Sequence, residues 1–296
     1  MKYILGITVL IFLCLIGWKL GFNDNVEKIA LLILIVFVSK ENIIYGIAIA
    51  IVYLVYQIGC SKEGFSTALV NESDNIPKII IQTWKTADIP EKYKPLVESV
   101  KRMNPSFEYK FFTDADIVSF LKTNYPEYYT TYLKLPVLIQ RIDFFRYIVV
   151  YHYGGFYFDL DMTALESLDD NLLTYDSVFP VDEIIKKEMC KQSRYLYFCK
   201  NNMYFLLGQY AFGAKPQDPF IKEIIDRIHK DINQTIQLYS LSQNKEIYVY
   251  QTTGPDFVSK LYQEYTDKKN VKILHYSNTR QHFGKYAKHN FFGTWK

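Results

Sequence analysis

The first 60 residues of the 296-residue chain contain 42 apolar and only 7 charged side chains, whereas the rest has the composition of an ordinary globular domain. Three apolar runs, at 3–18, 29–39 and 43–59, account for this excess. The first and third runs would reach about 25 Å as helices, close to the ~30 Å hydrocarbon core of a bilayer, whereas the second would reach only about 16 Å. We therefore predict that residues 1–60 form a membrane-anchoring region of one to three transmembrane helices.

Residues 61–76 are small and polar and are predicted to be a linker, so that residues 77–296 form the globular domain. A cleaved signal peptide is the alternative for the first apolar run, although no small-residue cleavage site follows it. The charges between the runs are nearly balanced, so the positive-inside rule does not decide the number of crossings. We expect an integral membrane protein of the Golgi or endoplasmic reticulum with a luminal domain, which glycosylation sequons at Asn71 and Asn233 favour weakly.

Composition excludes several classes of protein for the domain. An aromatic content of 17% and only four cysteines rule out a disordered chain, a collagen and a small disulfide scaffold. The net charge of +3 includes no basic stripe, so no nucleic-acid partner is expected. Cys190 and Cys199 would pair in an oxidising compartment, but the cysteine count alone does not decide which compartment the domain occupies.

Strand and helix patterns alternate along the domain. Strands are predicted at 76–84, 107–112, 156–160 and 271–275, and a further apolar stretch covers 205–212. Helices are predicted at 91–103, at 114–123 with Asp114 as N-cap, at 136–151 before Gly154-Gly155, and at 218–231. This alternation predicts an α/β fold with a layered sheet, in which ligands bind beyond the carboxyl ends of the strands.

Two carboxylates, Asp159 and Asp161, follow the buried strand 156–158 and are separated only by Leu160. In continuing strand geometry they would point to the same side, and their repulsion would be costly without a cation between them. A hard divalent cation removes that cost and can hold phosphates on its open positions. Because the motif is short, the alternative is a purely structural role for the two aspartates, as a solvated strand end or a helix cap.

The helix before this strand carries a second set of polar residues. Asp143, Arg146 and Tyr147 lie near one helix face because they are spaced three and four residues apart. Such an Asp–Arg pair is usually a weak surface ion pair. Here it lies within an aromatic and apolar helix, where buried charges need partners and a sugar with many hydroxyl groups would be one.

These residues make up the pattern Arg141-x-Asp143-x-x-Arg146-Tyr147, then Tyr153-Gly154-Gly155-x-Tyr157-x-Asp159-x-Asp161. The pattern resembles the core of the glycosyltransferases that have a DXD sugar-binding region. That family includes initiating α-1,6-mannosyltransferases, mannosyl-inositol-phosphorylceramide synthase subunits and, more distantly, the clostridial glucosylating toxins. The opening strand 76–84, the turn Thr253-Gly254-Pro255 and the closing segment with His289 and Trp295 are similar to the family's in the same order.

The resemblance implies a GT-A type fold, that is, a Rossmann-like mixed sheet with flanking helices, behind the transmembrane region. It implies a hexosyltransferase, with mannose favoured, that uses a nucleotide sugar (GDP-mannose, or a UDP-hexose) with Mn²⁺ or Mg²⁺ and retains anomeric configuration. The implied partners are a glycan or glycolipid acceptor, the membrane and a membrane partner subunit. Ile142 and Thr294 depart from the family's usual small residue and serine, without removing a chemical group on which these roles depend.

The resemblance also implies roles for individual residues. Catalytic roles would belong to Asp143, Arg146 and Asp161. Donor binding would involve Trp84, Asp143, Arg146, Tyr147, Gly155, Asp159 and Trp295. The metal ligands would be Asp159, Asp161 and His289.

Two other functions remain open from the sequence. Asp159-Leu160-Asp161-Met162-Thr163 also fits the motif of haloacid-dehalogenase-type phosphatases, with Asp159 as the nucleophile. That motif normally follows the first strand of its domain, whereas about 80 domain residues precede it here. The second alternative is a catalytically inactive membrane protein that binds glycans. A glycosidase would need two separated carboxylates, which this spacing does not supply.

Overall fold

The computed structural model describes residues 75–275 and 282–293, all of which belong to one compact unit, Asn71–Lys296. The predicted membrane-anchoring region 1–60 and Trp295 lie outside the described residues, as does the linker up to residue 74. None of the helices in the described part of the chain combines the length and the apolar character needed to cross a membrane.

Nine strands occur in the described residues. They are β1 (Ile79–Thr83), β2 (Glu108–Phe112), β3 (Gly155–Phe158), β4 (Met162–Ala164), β5 (Ser177–Ile184), β6 (Phe205–Leu207), β7 (Ala211–Ala214), β8 (Val271–Leu274) and β9 (Ala287–His289). Seven of them form a central sheet in the order β2-β1-β3-β7-β5-β6, with β8 paired to β5. The strands β4 and β9 form a separate antiparallel pair.

The central sheet is mixed. Strands β2, β1 and β3 are parallel, and β7 runs antiparallel to both β3 and β5. Strand β5 therefore points the same way as β3, and the carboxyl ends of β1, β3 and β5 lie at one edge of the sheet. The predicted α/β fold with a mixed sheet is thus confirmed, and the edge where these three strands end is the one at which ligands bind in α/β sheets.

Ten α-helices connect the strands, together with a short 3₁₀ helix at Lys187–Lys191. They are α1 (Lys94–Met103), α2 (Asp114–Asn124), α3 (Pro126–Lys134), α4 (Leu138–Tyr153), α5 (Asp170–Leu173), α6 (Ser193–Lys200), α7 (Pro219–Lys230), α8 (Ile232–Leu241), α9 (Lys245–Thr252) and α10 (Pro255–Glu264). These counts refer to 75–275 and 282–293. Strands β4, β5 and β9 and helices α3, α5, α6 and α8 to α10 were not predicted from the sequence patterns.

Three predicted helix starts are corrected, the first being that of α1, which begins at Lys94 rather than at Glu91. The N-cap of α2 is Thr113 rather than Asp114, because the Thr113 hydroxyl accepts a hydrogen bond from the Asp116 backbone N–H at 3.2 Å while the Asp116 carboxylate accepts the Thr113 N–H at 2.9 Å. Helix α4 begins at Leu138 rather than at Pro136, since the Gln140 side chain accepts the backbone N–H of Val137 at 3.0 Å.

Helix α4 packs on one face of the sheet and ends directly at β3. Its buried aromatic residues Phe144 and Phe145 join the larger core, whereas Phe156 and Phe158 of β3 face a second core on the opposite side of the sheet. The connection is tight because Gly155 has a φ of +92°, and a Cβ at this position would lie 2.5 Å from the Ile79 carbonyl oxygen. The glycine therefore fixes α4 beside β3 with no intervening loop.

Candidate active site

The two carboxylates of the Asp-x-Asp motif lie on a turn rather than on a continuing strand. Strand β3 ends at Phe158, and the Met162 N–H donates to the Asp159 carbonyl at 3.1 Å to close the turn. Leu160 is buried between them, as the sequence predicts. The turn brings the Asp159 and Asp161 carboxylates together at the carboxyl end of β3. The prediction assumed that both residues continue the strand, but the strand ends one residue before Asp159.

His289 joins these carboxylates from the far end of the chain. Strand β9 pairs with β4 immediately after the motif, with Met162 opposite His289. The His289 Nε2 atom lies 3.1 Å from Asp161 Oδ1, and the Asn290 N–H donates to the Asp161 carbonyl at 3.0 Å. Ligand atoms of Asp159, Asp161 and His289 all lie within 4.8 Å of one another.

Asp143 and Arg146 reach the same place from α4 because helix and strand lengths match. From Gly154 back to Asp143 the helix rises about 16 Å, and from Gly154 forward to Asp159 the strand rises about 16 Å. Arg146 then bridges the two carboxylates, with its Nη2 atom 3.2 Å from Asp143 Oδ1 and 3.3 Å from Asp159 Oδ1. The two motifs identified in the sequence therefore form one constellation.

The bridge is buried. The Asp143 and Arg146 side chains are only 1% and 3% exposed, compared with 26% for Asp159. Burial raises the pKa of Asp143 to about 6, although the charge of Arg146 and the Thr253 hydroxyl act in the opposite direction. Burial also raises the pKa of Asp159, again against the effect of Arg146. Arg146 stays protonated because Asp159 and its other neighbours outweigh desolvation and raise its pKa.

Asp161 has the opposite electrostatic character. Burial acts to raise the pKa of Asp161, but the hydrogen bond and charge of His289 and the backbone N–H of Phe292 bring it below its usual value. The Phe292 N–H donates to Asp161 Oδ2 at 2.9 Å. Asp161 is therefore held as a carboxylate, the form in which it binds a cation.

The predicted donor-binding residue Tyr147 and the Thr253-Gly254-Pro255 turn lie behind this constellation. The Thr253 hydroxyl donates to Asp143 Oδ2 at 2.7 Å, and the Tyr147 hydroxyl donates to the Thr253 carbonyl at 3.0 Å. The same tyrosine also hydrogen-bonds the Gln209 side chain. Both Tyr147 and Thr253 are completely buried, so their observed contacts orient Asp143.

Aromatic side chains flank the carboxylates at the carboxyl end of β1. The Trp84 ring centroid lies 4.9 Å from that of Tyr93, which in turn lies 5.4 Å from that of Phe292. Phe292 is the residue whose backbone N–H binds Asp161. The structure thus places Trp84 at the same sheet edge as Asp161, where an aromatic face could receive a flat base.

Gly155 requires a correction. It was predicted to bind the donor, but it lies at the amino end of β3, about 13 Å along the strand from Asp159. It is buried against Ile79 of the neighbouring strand. The structure accounts for this glycine by the tight α4–β3 connection and does not bring it to the site.

Several residues of the site were not found from the sequence. The Gln209 carbonyl accepts a hydrogen bond from Arg146 Nη1 at 2.9 Å, and the Asn290 side chain donates to the Asp161 carbonyl at 2.7 Å. Phe292 belongs to the aromatic group formed with Trp84 and Tyr93. Of these residues, only Asn290 and Phe292 could have been suspected from the sequence, because they lie in the same closing segment as His289. A contact made by a backbone carbonyl, such as that of Gln209, does not depend on residue type and therefore cannot be predicted from the sequence pattern.

Thr253 gives a testable prediction about the ionisation of Asp143. Thr253→Val should remove a hydrogen bond that lowers the pKa of Asp143, and so raise this pKa above its value of about 6. If activity needs the Asp143 carboxylate, kcat/KM falls as the pH drops through this pKa, and the fall should occur at higher pH in the variant. The measurement is the pH profile of kcat/KM for the glycosyltransferase reaction that the sequence resemblance implies.

Two variants serve as controls for this experiment. Thr253→Ser keeps the hydroxyl and should keep the wild-type profile. Thr252→Val removes a neighbouring buried hydroxyl that accepts from Gln140 Nε2 at 2.7 Å, and it should not move the profile. An unchanged acid limb in Thr253→Val would contradict the assigned role of Asp143.

The site residues fit a divalent cation. Within residues 75–275 and 282–293, Asp159, Asp161 and His289 form the one group of three acidic, histidine or cysteine side chains close enough to share an ion. Carboxylate oxygens are suited to Mn²⁺ and Mg²⁺, and an imidazole nitrogen is a further ligand for a transition metal. One buried atom beside this group, Arg146 Nε, has no hydrogen-bond partner, as expected where a polar ligand binds.

Residues 90–179 match the family described as the glycosyltransferase sugar-binding region containing a DXD motif. The chain contains this glycosyltransferase region. The matched residues include Asp143, Arg146, Asp159 and Asp161, and the resemblance stated from the sequence is confirmed. The predicted enzyme class, glycosyltransferase, is also the class of this region.

Similar proteins include two from Schizosaccharomyces pombe. Inositol phosphoceramide mannosyltransferase 3 is 44% identical over 99 residues, which are 33% of this chain and 28% of that protein. Inositol phosphoceramide mannosyltransferase 1 is 27% identical over 224 residues, which are 74% of this chain and 62% of that protein. This chain therefore spans less than two thirds of either relative.

Among solved structures, the PaToxG glycosyltransferase superposes with a TM-score of 0.45 and 16% sequence identity. The superposition covers 71% of this chain and 80% of that one.

Proposed function

We propose that this protein is a membrane-anchored, metal-dependent glycosyltransferase with a GT-A type catalytic domain over residues 77–296. It moves a hexose, with mannose favoured, from a nucleotide sugar to a glycan or glycolipid acceptor with retention of configuration. One observation carries the proposal: Arg146 joins the buried Asp143 to Asp159, next to Asp161, inside the region that matches a sugar-binding family, and His289 from outside that region lies beside them.

Each part of this constellation suits one part of a nucleotide sugar. Asp159, Asp161 and His289 would hold Mn²⁺ or Mg²⁺, which would neutralise the leaving diphosphate. Arg146 and Asp143 would bind sugar hydroxyl groups, because a guanidinium donates and a carboxylate accepts in fixed directions. Trp84 and its aromatic neighbours would contact the nucleotide base, and Trp295 would close the site. Gly155 has no place in this assignment.

The donor and acceptor follow from the names of the relatives. Two similar yeast proteins are inositol phosphoceramide mannosyltransferases, which favours GDP-mannose as donor and an inositol-containing lipid as acceptor. A transferase anchored by residues 1–60 would meet such a lipid at the membrane surface. A similar protein from Saccharomyces cerevisiae is named mannosyl phosphorylinositol ceramide synthase SUR1, and we extend to this chain the expectation of a membrane partner subunit.

A donor screen with the purified full-length chain in detergent tests this function. Release of GDP or UDP from GDP-mannose, UDP-glucose and UDP-galactose is followed with Mn²⁺, with Mg²⁺ and with EDTA. Metal-dependent turnover of at least one donor is expected, with GDP-mannose preferred. Metal-dependent hydrolysis of a phosphate monoester without turnover of any nucleotide sugar would establish the phosphatase alternative instead.

The geometry disfavours that phosphatase. Its nucleophile would be Asp159, but one oxygen of this carboxylate is ion-paired with Arg146 at 3.3 Å. Strand β3, which precedes Asp159, is the third strand of the described domain rather than the first. The inactive glycan-binding alternative would be favoured by loss of a charged member of the constellation, and all are present.

The compartment of the domain can be tested through its cysteines. Cys190 and Cys199 form a disulfide that links the 3₁₀ helix to α6. Disulfides persist in oxidising compartments, which supports a luminal domain in the Golgi or endoplasmic reticulum. We expect both cysteines to resist alkylation in the native-source protein until it is reduced, as measured by mass spectrometry. Immediate alkylation of both would contradict a luminal domain.

A further inference from the structure

A second polar cluster lies at the sheet edge where the candidate donor site is built. Strand β5 points the same way as β3, and Asp182 lies near its carboxyl end. Asp182 is the extra residue of a β-bulge, since Val181 pairs with Leu207 while Glu183 pairs with Leu206. Neither the family motif nor the proposed donor contacts use this residue.

Tyr210 connects this part of β5 to the candidate metal ligands. Its ring stacks on the His289 ring with centroids 4.5 Å apart, and its hydroxyl is shared between the His282 carbonyl at 2.9 Å and the Val181 carbonyl at 3.3 Å. Asp182 is the next residue in the chain. The Asp182 side chain is partly buried at this position.

Arg194 binds two carboxylates of the cluster. Its Nε and Nη2 atoms donate to the two oxygens of Asp256 at 2.8 and 2.7 Å, and its Nη1 atom lies 3.4 Å from Glu183. The guanidinium also lies over the Tyr250 ring, 4.9 Å from its centroid. These contacts fix Arg194 in one position beside β5.

The Thr253–Asp256 turn joins this cluster to the donor-binding constellation. The Thr253 hydroxyl binds Asp143, and three residues later Asp256 binds Arg194. The two polar clusters are therefore held by the same four-residue turn at the start of α10. They lie side by side at one edge of the sheet, so a molecule bound at one is a neighbour of a molecule bound at the other.

The charge of the second cluster indicates what it binds. Glu183 and Asp256 contact a single arginine, and Asp182 adjoins Glu183 on β5, so the cluster carries an excess of carboxyl groups. Such a cluster repels a diphosphate and accepts hydrogen bonds from hydroxyl groups.

We propose that Asp182 binds a hydroxyl group of the acceptor, a polyhydroxylated ring such as a sugar or an inositol, and that the Arg194–Asp256 pair positions the wall of this acceptor subsite. The inference rests on the proposed transferase function and adds to it a residue that distinguishes acceptor from donor. Its consequence is that Asp182 matters for transfer to the acceptor and leaves donor binding and hydrolysis of the donor by water unchanged.

Asp182→Asn tests this assignment in the full-length chain in detergent. Transfer of the sugar to inositol phosphoceramide in micelles, and separately to methyl α-D-mannoside, is compared with hydrolysis of the same donor in the absence of acceptor. The KM for the acceptor that the wild type uses should rise at least tenfold. The KM for the donor and the rate of hydrolysis should stay within about twofold of wild type.

Asp176→Asn is the matched control, because Asp176 directly precedes the amino end of the same strand and pairs with Lys215 at 2.8 Å, at the opposite edge of the sheet. It should leave both KM values unchanged. Arg194→Lys keeps the positive charge but loses the two-pronged contact with Asp256, and it should raise the acceptor KM in the same direction as Asp182→Asn. This second variant keeps the test decisive if Asp182→Asn does not fold.

Three outcomes separate the two proposals. An active wild type whose variants show the selective rise in acceptor KM supports the subsite. An active wild type whose Asp182→Asn and Arg194→Lys variants keep the acceptor KM, or lose donor and acceptor binding equally, overturns the subsite and leaves the transferase function intact. A wild type that turns over no nucleotide sugar overturns the transferase function, and the acceptor subsite with it.

Discussion

Asp161→Asn is expected to lower the rate of sugar transfer by about a thousandfold and to abolish its dependence on Mn²⁺ or Mg²⁺. Asp161 is the carboxylate whose surroundings lower its pKa, through the hydrogen bond with His289 and the Phe292 N–H. A neutral amide at this position weakens the binding of a divalent cation. A bound cation contributes several kcal/mol to stabilising a leaving diphosphate, and about 4 kcal/mol corresponds to a factor of about 10³ in rate.

Transfer rates and metal titrations of donor binding are the two measurements for this variant. The matched control is Asp170→Asn, which removes an exposed carboxylate that pairs with Lys78 at 2.9 Å and should change neither quantity. The thermal unfolding midpoint should be close to that of the wild type. Metal-dependent donor binding of normal affinity in Asp161→Asn would remove this residue from the metal site.

Arg146→Met is expected to reduce the stability of the fold as well as activity. The side chain is replaced by one of similar length without charge, which leaves the buried Asp143 and the partly exposed Asp159 without their shared partner. Removal of one partner from a buried ion pair costs about 3–5 kcal/mol of unfolding free energy. Transfer activity should be lost even at temperatures where the variant remains folded.

The pH dependence of this loss identifies its cause. Without Arg146 the folded-state pKa of Asp143 rises further above the value of an exposed aspartate, so the unfavourable charge is present at pH 7 and is removed as the pH falls and Asp143 becomes protonated. The stability difference between wild type and variant should therefore be smaller at pH 5 than at pH 7. A loss caused only by poorer packing would be the same at both pH values.

Arg141→Met is the control on the same helix. The Arg141 guanidinium donates to the Leu135 and Leu133 carbonyls at 3.0 and 3.1 Å and does not touch the carboxylates. Its replacement should cost about 1 kcal/mol, and the cost should not depend on pH. Equal stability losses in the two variants, measured by thermal or denaturant unfolding, would contradict the buried bridge.

The sequence was sufficient for much of this site because its parts lie close together in the chain. Asp143, Arg146, Asp159 and Asp161 fall within 19 residues, and the helix–glycine–strand pattern between them determines which ends meet. The predicted position of Leu160 in the core followed from the same strand. The order and direction of β1, β2 and β3 are those of the α/β arrangement that the alternation predicts.

Other parts depended on pairings that no local pattern encodes. Strand β9 is only three residues long, and its pairing with β4 joins residues more than 120 positions apart. The position of Asp182 depends on β7 running antiparallel between β3 and β5. The assignment of Gly155 to the donor was wrong for a different reason. A sequence shows only that a glycine is present, and it does not distinguish a glycine needed for close packing between strands from one needed for ligand contact.

Pairing β4 with β9 also has a consequence for how the site responds to its ligands. Asp159 follows the central sheet, whereas His289 belongs to the small two-stranded sheet, which is held by three register pairs. A ligand that binds both strengthens the association between the two sheets by mass action. Amide hydrogens of residues 287–289 should then exchange with solvent more slowly when cation and nucleotide are added, while those of β3 change little. Local opening of the closing strand would thus be coupled to occupancy of the site, and exchange rates at the end of the chain would report substrate binding more than 120 residues away in sequence.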